Sequence, residues 1–121
     1  MNVFEREVFS GVLDSIPEDV QFIGFRPEHA GLSTEAASVP HTIELESEIQ
    51  TLETLGAETI YKVENSIGLM NVRSFTAPLP RQGRYFVTIP MEKLYPFAAD
   101  KTALPKIEFS AEKEAVLNGV R

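Results

Sequence analysis

Cysteine is absent from the sequence, which rules out disulfides, thiolate metal sites and a cysteine nucleophile in this chain and suits a reducing compartment. Long apolar runs are missing too, and none approaches the roughly 20 residues that a membrane-spanning helix needs. The opening MNVFEREVFSG mixes charges into its apolar positions, without a basic leading region or a continuous hydrophobic stretch, so no signal peptide is expected. Positive charge is scarce: 11 Lys and Arg stand against 18 Asp and Glu, a formal net charge of −7. Nucleic-acid affinity comes largely from basic side chains neutralising phosphates, so nucleic acid is not an expected partner. The sequence also lacks a G-x-x-x-x-G-K-[ST] phosphate loop, a dinucleotide fingerprint, H-E-x-x-H and G-x-S-x-G.

What is present reads as β-structure. A length of 121 residues with 43% hydrophobic side chains suits one domain with a modest core. In HTIELESEIQ, Ile43, Leu45 and Ile49 alternate with Glu44, Glu46, Glu48 and Gln50, the pattern of a half-exposed strand with an acidic outer row. The alternation drifts through Thr51, Leu52 and Leu55 to Gly56, which predicts a bend or bulge before the turn. ETIYKVEN places Tyr61 and Val63 on one face against Lys62 and Glu64; GLMNVRSF follows the Asn65-Ser66 turn; RYFVTIP sets Tyr85, Val87 and Ile89 against Arg84, Phe86 and Thr88. With VFEREVF and VQFIGF upstream, about six short strands separated by Gly, Pro, Asn and Ser read as an all-β barrel or sandwich. PMEKLYPF suits a single helical turn between Pro90 and Pro96. The tail PKIEFSAEKEAVLNGVR predicts a short strand and then a frayed helix ending at Gly119.

The chemically suggestive stretch is FIGFRPEHAGLS, a strand that stops in Arg26-Pro27-Glu28-His29. Glu28 and His29 have the chemistry of an acid and a base, but no third group stands out to orient the imidazole. Pro27 fixes its own φ and pushes Arg26 into an extended conformation, so the strand must leave its sheet there. Arg26 sits where its guanidinium can bridge backbone or carboxylate groups. His29 and His41 lie on separate segments without metal-ligand spacing, and the row of Glu44, Glu46 and Glu48 reads as a solvated face that discourages edge pairing.

The order of these blocks resembles the C-terminal regulatory domain of ATP-binding subunits of ABC importers. More narrowly, it resembles the transport-associated OB-like (TOBE) domain of the sugar and glycerol-phosphate type. The corner matches at Gly24, Phe25, Arg26, Pro27, Glu28 and His29; a following Glu-x-x-Gly-x-Glu-Thr block is approximated by Glu53, Gly56, Glu58 and Thr59, with one extra residue before the glycine. A later block is loosely matched by Pro90, Leu94, Phe97, Asp100 and Thr102, and MNVFE resembles the Met-Asn-x-Phe that leads into such domains.

The resemblance implies a small OB-like β-barrel of about six strands over residues 1–104, with a short helical turn and a tail over 105–121. It implies regulatory or motif positions at Gly24, Arg26, Pro27, Glu28, His29, Gly56, Glu58 and Thr59. No catalytic residue, metal or cofactor is expected in this chain, since ATP and Mg belong to a nucleotide-binding domain that the sequence lacks. The implied partners are a second copy in a homodimer, the ATPase domain of the same subunit, a transporter permease indirectly, and a regulatory protein. The implied location is cytoplasmic, peripheral to the inner membrane. Only some two dozen residues separate Met-Asn from the corner, fewer than the family usually has, which implies a trimmed barrel or one completed by a partner. Two other expectations compete: a free-standing oxyanion-type ligand-binding domain, and a small enzyme built on Glu28 and His29.

Overall fold

The structure is a computed structural model and describes residues 1–76 and 84–109. The described residues form strands β1 (Asn2–Glu5), β2 (Phe22–Phe25), β3 (Gly31–Ser33), β4 (Thr42–Leu55), β5 (Glu58–Glu64), β6 (Leu69–Ser74), β7 (Tyr85–Pro90) and β8 (Tyr95–Phe97). Short 3-10 turns cover Arg6–Phe9, Pro27–His29 and Met91–Lys93. The last is the single turn expected after Pro90. No strand forms over 105–109, and the expected terminal helix lies outside the described residues.

The strand alternation reappears as burial. Ile43, Leu45 and Ile49 of β4 face the core, as do Tyr61 and Val63 of β5 and Tyr85, Val87 and Ile89 of β7. The β4–β5 register slips between Ile49, opposite Val63, and Thr51, opposite Lys62, so Gln50 is an extra residue in a β-bulge. Because side chains in a strand alternate with a period of two, one inserted residue exchanges the faces beyond it. Leu52 therefore packs against the core, whereas Leu55 turns outward.

All pairings are antiparallel, and they make two separate sheets. One has three strands in the order β1-β2-β8; the other has five in the order β3-β7-β4-β5-β6. The closed barrel that the resemblance implied is not formed. Edge strands β3 and β6 pass within 8 Å at Cα positions, yet no ladder joins them. The OB fold and TOBE architecture are thus replaced by an open, two-sheet all-β domain. Its physical cause lies along β6, where the Pro27–His29 turn packs and a side chain occupies the outward backbone groups that a closing strand would need.

That side chain is Asn2. Its Nδ2 donates to the carbonyl of Asn71 at 2.8 Å, and its Oδ1 accepts from the Asn71 amide at 2.9 Å. Asn71 lies opposite Lys62 on β6, and its outward N–H and C=O are satisfied as a neighbouring strand would satisfy them. Asn2 belongs to β1, is 7% exposed, and so ties the smaller sheet to the larger one from within. Packed beside it, Phe4 contacts Phe9 edge-on at 6.4 Å between centroids and Phe25 in a stacked arrangement at 6.3 Å. Phe109 also enters the core at 4% exposure, so packing continues past residue 104.

Arg6 fixes the connection that follows. Its Nη1 donates to the carbonyls of Pro17 and Val20 at 2.8 and 2.7 Å, and its Nη2 donates to that of Ile16 at 2.9 Å. This gathering of carbonyls lets an irregular segment, with a single β-bridge position at Leu13, bury Leu13 and Val20.

Asn2→Ala leaves both outward groups of Asn71 without their partner and should cost about 1–3 kcal/mol. Asn2→Asp keeps an acceptor but loses the donor, and should also be destabilised. Urea midpoints of the two variants and the parent give the comparison, with unchanged m-values expected if the unfolded state is unaffected.

Candidate functional site at the Arg-Pro-Glu-His corner

The corner carries the chain from one sheet to the other. β2 ends at Phe25, Arg26 is extended with φ −80° and ψ 143°, and Pro27 opens the 3-10 turn that leads to β3. The His29 amide donates to the Arg26 carbonyl at 3.0 Å, and the Ala30 amide to that of Pro27 at 3.4 Å. Gly24 stands in the central strand of the three-stranded sheet. A Cβ there would lie 2.9 Å from the Asn2 carbonyl oxygen and 3.1 Å from the Phe97 ring, closer than ordinary packing allows. The glycine is required by this close approach.

The side chains of the corner differ in burial. Arg26 and Glu28 are exposed, and Arg26 makes no side-chain hydrogen bond or ion pair with another described residue. The expected guanidinium bridge to backbone is instead made by Arg6. His29 is half-buried, and its Nδ1 is enclosed without a hydrogen-bond partner among the described residues. No hydrogen bond or ion pair joins Glu28 to His29 among the described residues.

The second motif occupies the β4–β5 hairpin. Gly56 takes φ +64° in the turn, a left-handed conformation that favours glycine. Thr59 is buried at 1% exposure opposite Ser74. Glu58 points outward and forms a fork with Arg73, one arm from Nε and the other from Nη2 to Oε2 at 2.9 Å. The hydrogen bonds from Arg73, with its positive charge, hold the Glu58 carboxyl below its usual range, and the carboxylate correspondingly raises the Arg73 guanidinium. Glu28 adds a smaller attraction on Arg73, which links the corner electrostatically to this pair. Gly24, by contrast, belongs to the other sheet and does not join the cluster.

Two surface clefts lie among the described residues, and they differ in charge. An open cleft of about 710 Å³ is lined by Glu46, Ser47, Glu48, Glu64, Asn65 and Arg84. Its one guanidinium is already paired with Glu46 at 2.7 Å, so an anion entering it would meet surplus negative charge. The other cleft lies between His41, Met91, Glu92 and residues 106–109. Among the described residues no group of His, Asp and Glu is arranged to hold a metal. The acidic row on β4 has local work: Glu44 accepts from the Ala37 amide at 2.6 Å, and Glu46 pairs with Arg84.

The residues that sequence reasoning passed over are Arg73, Arg6 and the purpose of Asn2. Register alone brings Arg73 to Glu58, since Ile60 lies opposite Arg73 and the carboxylate sits diagonally across the strands. No protein-family model and no curated protein matches the chain.

Two outcomes follow from this geometry. His29→Ala should lower the denaturant midpoint more than Arg26→Ala, because the imidazole fills space under the turn while exposed Arg26 should change stability by no more than about 0.5 kcal/mol. Glu58 should titrate below the ordinary glutamate range in a carboxyl-detected NMR titration and move up towards that range in Arg73→Met. A lowered native pKa adds stability that is present above the unfolded-state value and is lost as pH falls through the folded one. Acid unfolding should therefore begin at higher pH in Arg73→Met than in the parent.

Proposed function

We propose that the chain serves as a non-catalytic regulatory and dimerisation domain of an ATP-binding subunit of an ABC importer for sugars or related solutes. The observation that carries this reading is the run of blocks in order, from Met1-Asn2 through Gly24–His29 to Gly56-Ala57-Glu58-Thr59. These blocks recur here at points of structural need: Asn2 clasps β6, Gly24 permits close strand approach, and Arg26-Pro27 turns the chain between sheets. A motif made of such positions specifies a scaffold, and ATP chemistry would belong to a separate domain bearing the phosphate loop.

In this role the domain packs beside an ATPase core and against its twin, and a regulatory protein acts by preferring one arrangement of the pair. Such a ligand shifts the equilibrium only by its differential affinity for the two states. The permease is reached indirectly, so the domain works on the cytoplasmic face as a peripheral component. No helix among the described residues is long and apolar enough to cross a membrane. The oxyanion alternative is disfavoured by the surplus of carboxylates in the cleft at Glu46, Glu48 and Glu64.

The surface offered to a twin lies along β1, an edge strand of the three-stranded sheet. Met1, Val3 and Val8 are exposed there, while Phe9 is fully buried and Phe4 packs against the core. The shared apolar set is therefore narrower than the whole apolar content of the first strand and turn. Sedimentation equilibrium over a concentration series should show a reversible dimer at high micromolar protein, weakened by Val3→Lys or Val8→Glu. The chain should bind no labelled ATP in the presence of magnesium. A strict monomer, or saturable micromolar ATP binding, would overturn the proposal.

A further inference from the structure

The outer face of the five-stranded sheet differs at its β4–β5 hairpin end from the acidic row further along. Leu55 lies opposite Glu58, and Ile60 lies opposite both Glu53 and Arg73, so these side chains share that face. Phe75 follows β6 directly. Leu55 is 46% exposed and Phe75 62%, large apolar groups left in water close to an ion pair. The bulge at Gln50 is what turns Leu55 outward. Phe75 is not free to wander: the Arg73 guanidinium stands 5.5 Å from its ring centroid, and Arg73 is itself held by Glu58.

We propose that this face docks a basic segment of a partner protein, with an Arg or Lys of the partner stacking on the open side of Phe75 and an aliphatic neighbour covering Leu55. Charge complementarity selects this occupant. Glu58 is paired with Arg73 and Glu28 lies near the same guanidinium, while Glu53 and Lys62 project from the same face, so three carboxylates stand against two cations around the two apolar anchors. An aromatic face attracts a cation through its quadrupole, and a ring already fixed in place loses little freedom on binding. The Glu44, Glu46 and Glu48 row on the same sheet has comparable charge and, opposite Glu64, the exposed Leu69, but among the described residues no exposed aromatic ring, so it provides an internal comparison for Phe75. A partner drawn by charge alone would settle there, and one that needs the anchors would settle at Leu55 and Phe75. The inference stands independently of the importer reading.

The test is a titration of the ¹⁵N-labelled full chain with the peptide acetyl-Leu-Arg-Leu-Arg-Leu-amide at about 0.15 M salt, where long-range surface charge effects are largely screened. Saturable amide shifts are expected at Leu55, Glu58, Arg73 and Phe75, and Phe75→Ala should weaken binding about fivefold or more. Leu55→Ser should weaken it as well. Both side chains are exposed, so the variants should keep the parent spectrum elsewhere. Shifts confined to Glu44, Glu46 and Glu48, equal affinity in Phe75→Ala, or no binding would overturn the proposal. Concentration-dependent shifts at Leu55 and Phe75 without peptide would also overturn it, because a second copy would then be the occupant.

Discussion

The two hydrogen bonds between the Asn2 carboxamide and the backbone of Asn71 are the constraint on which the arrangement of sheets depends. An edge strand has outward N–H and C=O groups that must be met by another strand, a side chain or water. Here one side chain meets a donor and an acceptor of β6 together, and because it belongs to β1 it fixes the distance between the sheets. Neighbouring requirements follow from that placement. With β1 drawn inward, the Asn2 carbonyl oxygen crowds residue 24, where only a glycine fits without displacement. Arg6, immediately past β1, is then positioned to gather the carbonyls of Ile16, Pro17 and Val20.

The corner acts on the same strand from another direction. Leaving β2 at Phe25, the chain turns through Pro27–His29, rests against β6 and enters β3. β6 is therefore served by Asn2 at Asn71 and packed against by the corner, and no ladder joins it to β3 even though the two strands pass close by. This competition for one edge explains how a sequence with the alternation of a small barrel makes two open sheets. It also gives Arg26-Pro27-Glu28-His29 a sufficient structural purpose without any acid–base chemistry.

Local pattern was legible where one physical period controlled the outcome. The alternation of Ile43, Leu45 and Ile49 placed a buried face, the drift after Ile49 marked the bulge, and Pro90 and Pro96 bracketed the single turn. Closure was not legible, because it depends on whether two strands distant in sequence pair, and local alternation does not encode that choice. The partners of charged residues were equally hidden. Arg26 looked suited to bridging backbone groups at a strand end, but Arg6 has that role because the irregular segment before β2 folds back over it. Glu58 was singled out by its motif, whereas Arg73 reached it only through the β5–β6 register.

The claim that Asn2 couples the sheets is tested most directly by native-state hydrogen exchange at the Asn71 amide. The account predicts that this proton, although on an edge strand, exchanges only with the same global opening that releases core amides of β5 such as Val63. In denaturant series its opening free energy should merge with theirs. Fast exchange of Asn71 through a local opening that leaves both sheets protected would contradict the account, since the clasp would then be incidental to the fold.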